Sequence, residues 1–106
     1  MEELKSQVLD LARLLEYQQG SIVSRELLSL KTGTLTVFAF DKDQGLSEHT
    51  APFDATVLGV EGSAEITISG APHTVRQGEL IIMPAHQPHA LKAIEPFKML
   101  LIMIRT

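Results

Sequence analysis

The sequence predicts an all-β domain, an antiparallel sandwich or barrel, entered through a short helical arm. Three observations carry this prediction. Helical periodicity occurs once, in the first twenty residues. From Ser21 onward, short β-compatible runs alternate with turn-forming clusters. At 106 residues, 44% of them hydrophobic, the chain fits one domain with one core.

Residues 2–17 read as the helix. Leu4, Val8, Leu11 and Leu15 recur at helical spacing and fall on one face. Glu2 and Glu3 sit where the helix dipole favours negative charge. Gly20 supplies a C-terminal stop. The stretch LDLARLL also reads as one helical turn following an edge strand. These limits give an arm over 1–20 and a barrel over 21–106.

The barrel runs are SIVSRELLSL, TLTVFAF, TVLGV, AEITI, HTVR, LIIM, ALKAI and KMLLIMI, about seven or eight strands. Gly33, DKDQG, EGS, SGAP, RQG, PAHQP and EP separate them with turn chemistry. In AEITI, strand alternation turns Ala64, Ile66 and Ile68 inward and Glu65 and Thr67 outward. SGAP forms a tight hairpin in which Gly70 takes the positive φ. The last strand, FKMLLIMI, is apolar on both faces beyond Lys98. Its outer face therefore needs a cover, either the arm or a second subunit, and a homodimer is expected.

Composition narrows the function. A net charge of -4, with no Lys/Arg cluster, disfavours nonspecific binding to nucleic acid or anionic membrane. Without cysteine there are no disulfides and no thiolate ligands, so a metal would use His, Asp, Glu or backbone oxygens. The acidic start is too polar for a signal peptide, and the longest apolar run, Met99 to Ile104, is too short to span a bilayer. A soluble cytoplasmic protein is expected. No G-x-S-x-G elbow, phosphate-cradling glycine loop or H-E-x-x-H occurs. With one Tyr and four Phe, a base-stacking platform is poorly supplied.

GELIIMPAHQPHALKA resembles the second motif of the cupins, G-x5-P-x-G-x2-H-x3-N. Gly78, Pro84 and His89 match it, while His86 replaces its glycine and Ala93 its asparagine. The first cupin motif, G-x5-H-x-H-x3,4-E-x6-G, fits with Gly62 as its closing glycine. Its first histidine is then His49, its second histidine position is Ala51 and its glutamate position is Ala55. Gly45 lies two residues nearer His49 than the motif glycine should. The resemblance covers Ser21 to Thr106 and implies a cupin, or double-stranded β-helix, barrel of jelly-roll type.

Cupins hold Fe, Mn, Ni, Zn or Cu with the ligands of these motifs. Residue by residue, the resemblance leaves His49 and His89 as metal ligands, with Ala51 and Ala55 unable to serve. Asp54, one residue before the glutamate position, and His86, in the loop after Pro84, are the possible replacements. Asp54 has a plainer use too, accepting backbone N–H bonds in its turn. His73, near a hairpin, is expected to face solvent.

Small residues at two ligand positions leave room inside the barrel. Val57, Ile82, Leu91 and Met103 are expected to line this pocket, with His49, His86 and His89 as its polar contacts. The function expected is small-molecule binding by a cupin with a partly lost metal site. The alternative is a metal-dependent enzyme, of oxygenase or isomerase type, using His49 and His89 with Asp54 or His86. A third reading treats the barrel as the scaffold of a regulatory dimer.

Overall fold

The computed structural model describes residues 4–105. Nine strands follow one another: β1 (Ile22–Leu30), β2 (Gly33–Phe40), β3 (Gly45–His49), β4 (Ala55–Glu61), β5 (Ser63–Ile68), β6 (Ala71–Arg76), β7 (Leu80–Met83), β8 (His89–Ala93) and β9 (Phe97–Ile104). They form two antiparallel sheets, one of five strands in the order β1-β2-β9-β4-β7 and one of four in the order β3-β8-β5-β6. Strand alternation sends one side chain in two between the sheets. The core there gathers Phe40, Val57, Ile66, Val75, Phe97 and Met99. Ala64 and Ile66 are fully buried and Glu65 is exposed, the expected alternation in β5. Ser69 and Gly70 both have positive φ between β5 and β6, the geometry of a tight hairpin.

The arm is not a helix; no helix occurs among the described residues. Residues 4–20 run as a chain of turns, and three local features exclude the helical path. Ser6 has φ 64°, outside the helical region. Asp10 closes its own turn, its carboxylate accepting from Ala12 N–H at 3.2 Å and its carbonyl from Arg13 N–H at 3.0 Å. This is the competition with helix geometry that short acidic side chains offer. The Ala12 carbonyl accepts from Lys98 Nζ at 2.6 Å, so it serves the barrel instead of a helical ladder. Leu11 and Leu15 still pack on the sheet, whereas Val8 is fully exposed. The expected roles of Glu2 and Glu3 lie outside the described residues. No described helix is long and apolar enough to cross a membrane.

The arm covers part of the outer face of the five-stranded sheet. Leu11, Leu14, Leu15 and Tyr17 pack over Val37, Ala39 and Leu100. Lys98 fixes the arrangement from the sheet side. It is 7% exposed, lies 4.8 Å from the centroid of the Tyr17 ring and pairs with Glu61 at 3.7 Å. The Tyr17 hydroxyl donates to the same carboxylate at 2.5 Å. Burial, then that hydrogen bond and the charges of Glu61 and Glu95, push the Tyr17 hydroxyl above its ordinary range. It therefore remains a donor at neutral pH.

Candidate functional site

One end of the space between the sheets is open. The cavity there leaves about 60 Å³ for solvent-sized occupants, room for a few waters or one small group. The five-stranded sheet contributes Ala55 and Val57 from β4, Met83 from β7, and Met99, Leu101 and Met103 from β9. The four-stranded sheet contributes Leu46 and His49 from β3, and His89, Ala90 and Leu91 from β8. Ala51, in the connection after β3, completes the wall.

His49 and His89 are the only polar side chains in this lining. They are directly opposed across the β3–β8 ladder. Their Nε2 atoms lie 3.1 Å apart, and the rings meet edge to face with centroids 4.3 Å apart. The backbone aims both rings. His49 Nδ1 lies 2.8 Å from the Ser47 carbonyl and His89 Nδ1 lies 3.1 Å from the Gln87 carbonyl. A carbonyl oxygen only accepts, so each Nδ1 carries the hydrogen. Each neutral ring then turns an Nε2 lone pair toward the other. Two acceptors that close repel unless a proton or a cation stands between them. A hydrogen carried by either ring, or a donor group from a ligand at the cavity mouth, satisfies the pair. His89 is buried and His49 is exposed, so that group can arrive from solvent.

The other expected site residues divide. Val57, Leu91 and Met103 line the cavity with the two histidines. Ile82 does not: it pairs with outward-facing Thr56, while its neighbour Met83 pairs with inward-facing Ala55. His86 is exposed at φ 66° in the loop after β7, and only its backbone N–H approaches the site, donating to the Ala51 carbonyl at 2.8 Å. Asp54 is exposed, and its carboxylate accepts from Ala85 N–H at 2.8 Å. His73 is exposed on β6. The lining residues not anticipated are Leu46, Met83, Ala90, Met99 and Leu101. Met99 and Leu101 share the strand parity of Met103, which a count by twos along β9 would have found.

A profile described as "Cupin domain" matches residues 36–104. The chain belongs to the cupin family. Solved structures agree with this. A conserved protein of unknown function from Streptococcus pyogenes is 40% identical, with 95% of this chain and 89% of that one covered and a TM-score of 0.90. A cupin 2 conserved barrel domain protein from Leptotrichia buccalis is 39% identical with a TM-score of 0.88; the match covers 92% of this chain but 47% of that longer one. A cupin superfamily protein from Desulfitobacterium hafniense is 26% identical over 96% of this chain and 94% of its own, with a TM-score of 0.90. No curated protein matches. This cupin is thus a small barrel domain whose pocket suits a small molecule.

The residues present do not fit the family's divalent metal. A catalytic centre of that kind takes about three protein ligands and an open position. This cupin offers two imidazoles, with methyl groups at Ala51 and Ala55 and with Asp54 and His86 turned to other uses. Among the described residues, no group of three or more His, Cys, Asp or Glu is gathered for a metal.

Proposed function

We propose that the pocket binds a compact, largely apolar molecule carrying one O–H group, such as a phenol or an alcohol. The supporting observation is the lining: apolar walls with a single polar spot made of two imidazole acceptors. The ligand hydroxyl supplies the hydrogen that the facing Nε2 atoms lack, and the hydrocarbon body packs on Leu46, Val57, Leu91 and Leu101. Catalysis is not required for this role.

A thermal-shift series with matched pairs tests it: phenol against anisole, benzyl alcohol against benzyl methyl ether, and short aliphatic homologues of each. A ligand at a hundred times its dissociation constant stabilises the protein by about 2.7 kcal/mol. The hydroxyl compound is expected to outbind its methylated partner by about tenfold, one hydrogen bond's worth. Ala55→Leu, which fills the cavity, removes the response. Equal binding of both partners would sink the head-group assignment, and an unchanged response in Ala55→Leu would place the ligand elsewhere.

The homodimer belongs to the same proposal. Beyond the reach of the arm, the outer face of the five-stranded sheet presents Leu30, Leu80, Ile82 and Ile104, each at least half exposed, around half-buried Leu35, Leu58 and Ile102. Patches of this kind mark association surfaces. A second copy meeting it across a two-fold axis would bury the same residues on both sides. Sedimentation equilibrium is expected to give twice the chain mass, falling to the chain mass in Ile82→Glu/Ile104→Glu. A wild-type protein that is monomeric at micromolar concentration contradicts the dimer.

A further inference from the structure

Methionine is unevenly placed in this chain. The sequence has four, and apart from Met1 all of them line the cavity: Met83, Met99 and Met103. Two of the three flank one short residue. Ala55 pairs with Met83 on β7 to one side and with Met103 on β9 to the other. Cross-strand neighbours stand about 5 Å apart on a sheet face. The wall there is a methyl group between two long thioethers, which makes a groove along β4. The paired histidines line the same cavity from the other sheet.

Strand pairing sorts the lining into layers. The layer at the mouth sets Ala55, Met83 and Met103 against His49 and His89. The next sets Val57, paired with Leu101, against Leu46, paired with Leu91. Successive inward positions on a strand are two residues, roughly 7 Å, apart. The third layer is closed. Gly59 pairs there with Met99, which is 1% exposed and packs into the core with Phe40 and Phe97. A guest whose hydroxyl meets the imidazoles therefore has about one layer spacing for its body before it reaches Met99. One six-membered ring fills that depth.

The side chains at the mouth select among rings. Thioether sulfur is polarizable and makes favourable contacts with aromatic rings, often at the ring edge. A saturated ring gains nothing of that kind and is thicker across the groove. Methionine is also unbranched and repacks readily, so Met83 and Met103 can yield to a ring and then close on it.

We infer that the guest is a monocyclic phenol with no substituent para to its hydroxyl. Its ring lies between the Met83–Ala55–Met103 groove and the facing sheet. This rests on the reading of the pocket as a hydroxyl site and narrows it: the two thioethers select the aromatic ring, and Met99 limits its length.

The test is isothermal titration of the full chain with phenol, cyclohexanol, anisole and para-propylphenol. Phenol is expected to bind about tenfold more tightly than cyclohexanol, the worth of two sulfur–ring contacts. Para-propylphenol is expected to bind at least about tenfold more weakly than phenol, because its chain must displace a packed core side chain. The series is repeated on Met83→Leu/Met103→Leu, which conserves volume, with a melting curve to confirm folding. There the preference for phenol over cyclohexanol falls to about twofold. This variant separates the thioethers from the greater acidity of the phenolic hydroxyl, which the substitutions leave alone. The inference is overturned if cyclohexanol or para-propylphenol binds the parent chain as tightly as phenol, or if the leucine variant keeps the tenfold preference. Anisole keeps the two ideas apart. If cyclohexanol matches phenol and both outbind anisole, only the aromatic assignment fails. If anisole matches phenol while cyclohexanol stays weak, the hydroxyl reading fails instead. No heat from any of the four sinks both.

Discussion

Ala51→His with Ala55→Glu is expected to give this barrel a tight divalent centre. The two native imidazoles are already in place. Their Nδ1 atoms are anchored to the Ser47 and Gln87 carbonyls, and their Nε2 atoms converge to 3.1 Å. Both alanines line the same cavity, and Ala55 is almost fully buried facing it. The two substitutions raise the ligand count from two to four. Two added ligands on a preset pair should raise Zn(II) or Ni(II) affinity by about a thousandfold, roughly 4 kcal/mol at 1.4 kcal/mol per decade. Because the ligands bind deprotonated, affinity falls as pH is lowered. Isothermal titration at neutral and mildly acidic pH checks both statements. A folded double variant with parental Zn(II) affinity would mean that the new side chains do not reach the histidine pair.

Gly62→Ala is expected to cost more stability than any other single methyl added at a left-handed turn of this chain. Gly62 joins β4 to β5 at φ 76°, a conformation that costs a residue with a Cβ about 1–2 kcal/mol. A Cβ there would also stand 1.9 Å from the Pro96 carbonyl oxygen, so the turn or the start of β9 must move. Together these predict a loss of about 3 kcal/mol or more, a large share of the roughly 5–15 kcal/mol of a typical domain. Gly78→Ala is the control. Its φ is 80°, but nothing lies within 4 Å of the added atom, so it carries the backbone cost alone, about 1–2 kcal/mol. Urea denaturation of the two variants separates the contributions. Equal midpoints would show that the approach of Pro96 has no weight.

The β character of the chain was legible because turn residues punctuate it at short intervals. β3 escaped because GLSEH is polar and mostly exposed; it forms one edge of its sheet, where no apolar alternation is demanded. The arm was misread because apolar spacing records which residues seek a surface and says nothing of the path between them. Leu11 and Leu15 found the sheet through turns fixed by Ser6 and Asp10. The meeting of His49 and His89 followed from motif spacing, although they stand forty positions apart in the chain. Ile82 shows where that reasoning ends. LIIM is apolar at every position, so its parity comes only from pairing with β4, a register invisible in the strand itself. The methionine grouping was equally hidden, since Met83 and Met103 become neighbours of Ala55 only when β7 and β9 pair with β4 on opposite sides.

Keeping nearly all its sulfur around one cavity gives this cysteine-free chain a concentrated vulnerability. Conversion of Met83, Met99 or Met103 to the sulfoxide would plant a strongly polar S=O in a wall whose only polar side chains are His49 and His89. Peroxide would therefore erase affinity for oily guests while sparing the turns and the distant arm. Methionine sulfoxide reductases could restore it only by reaching a side chain that sits inside the barrel.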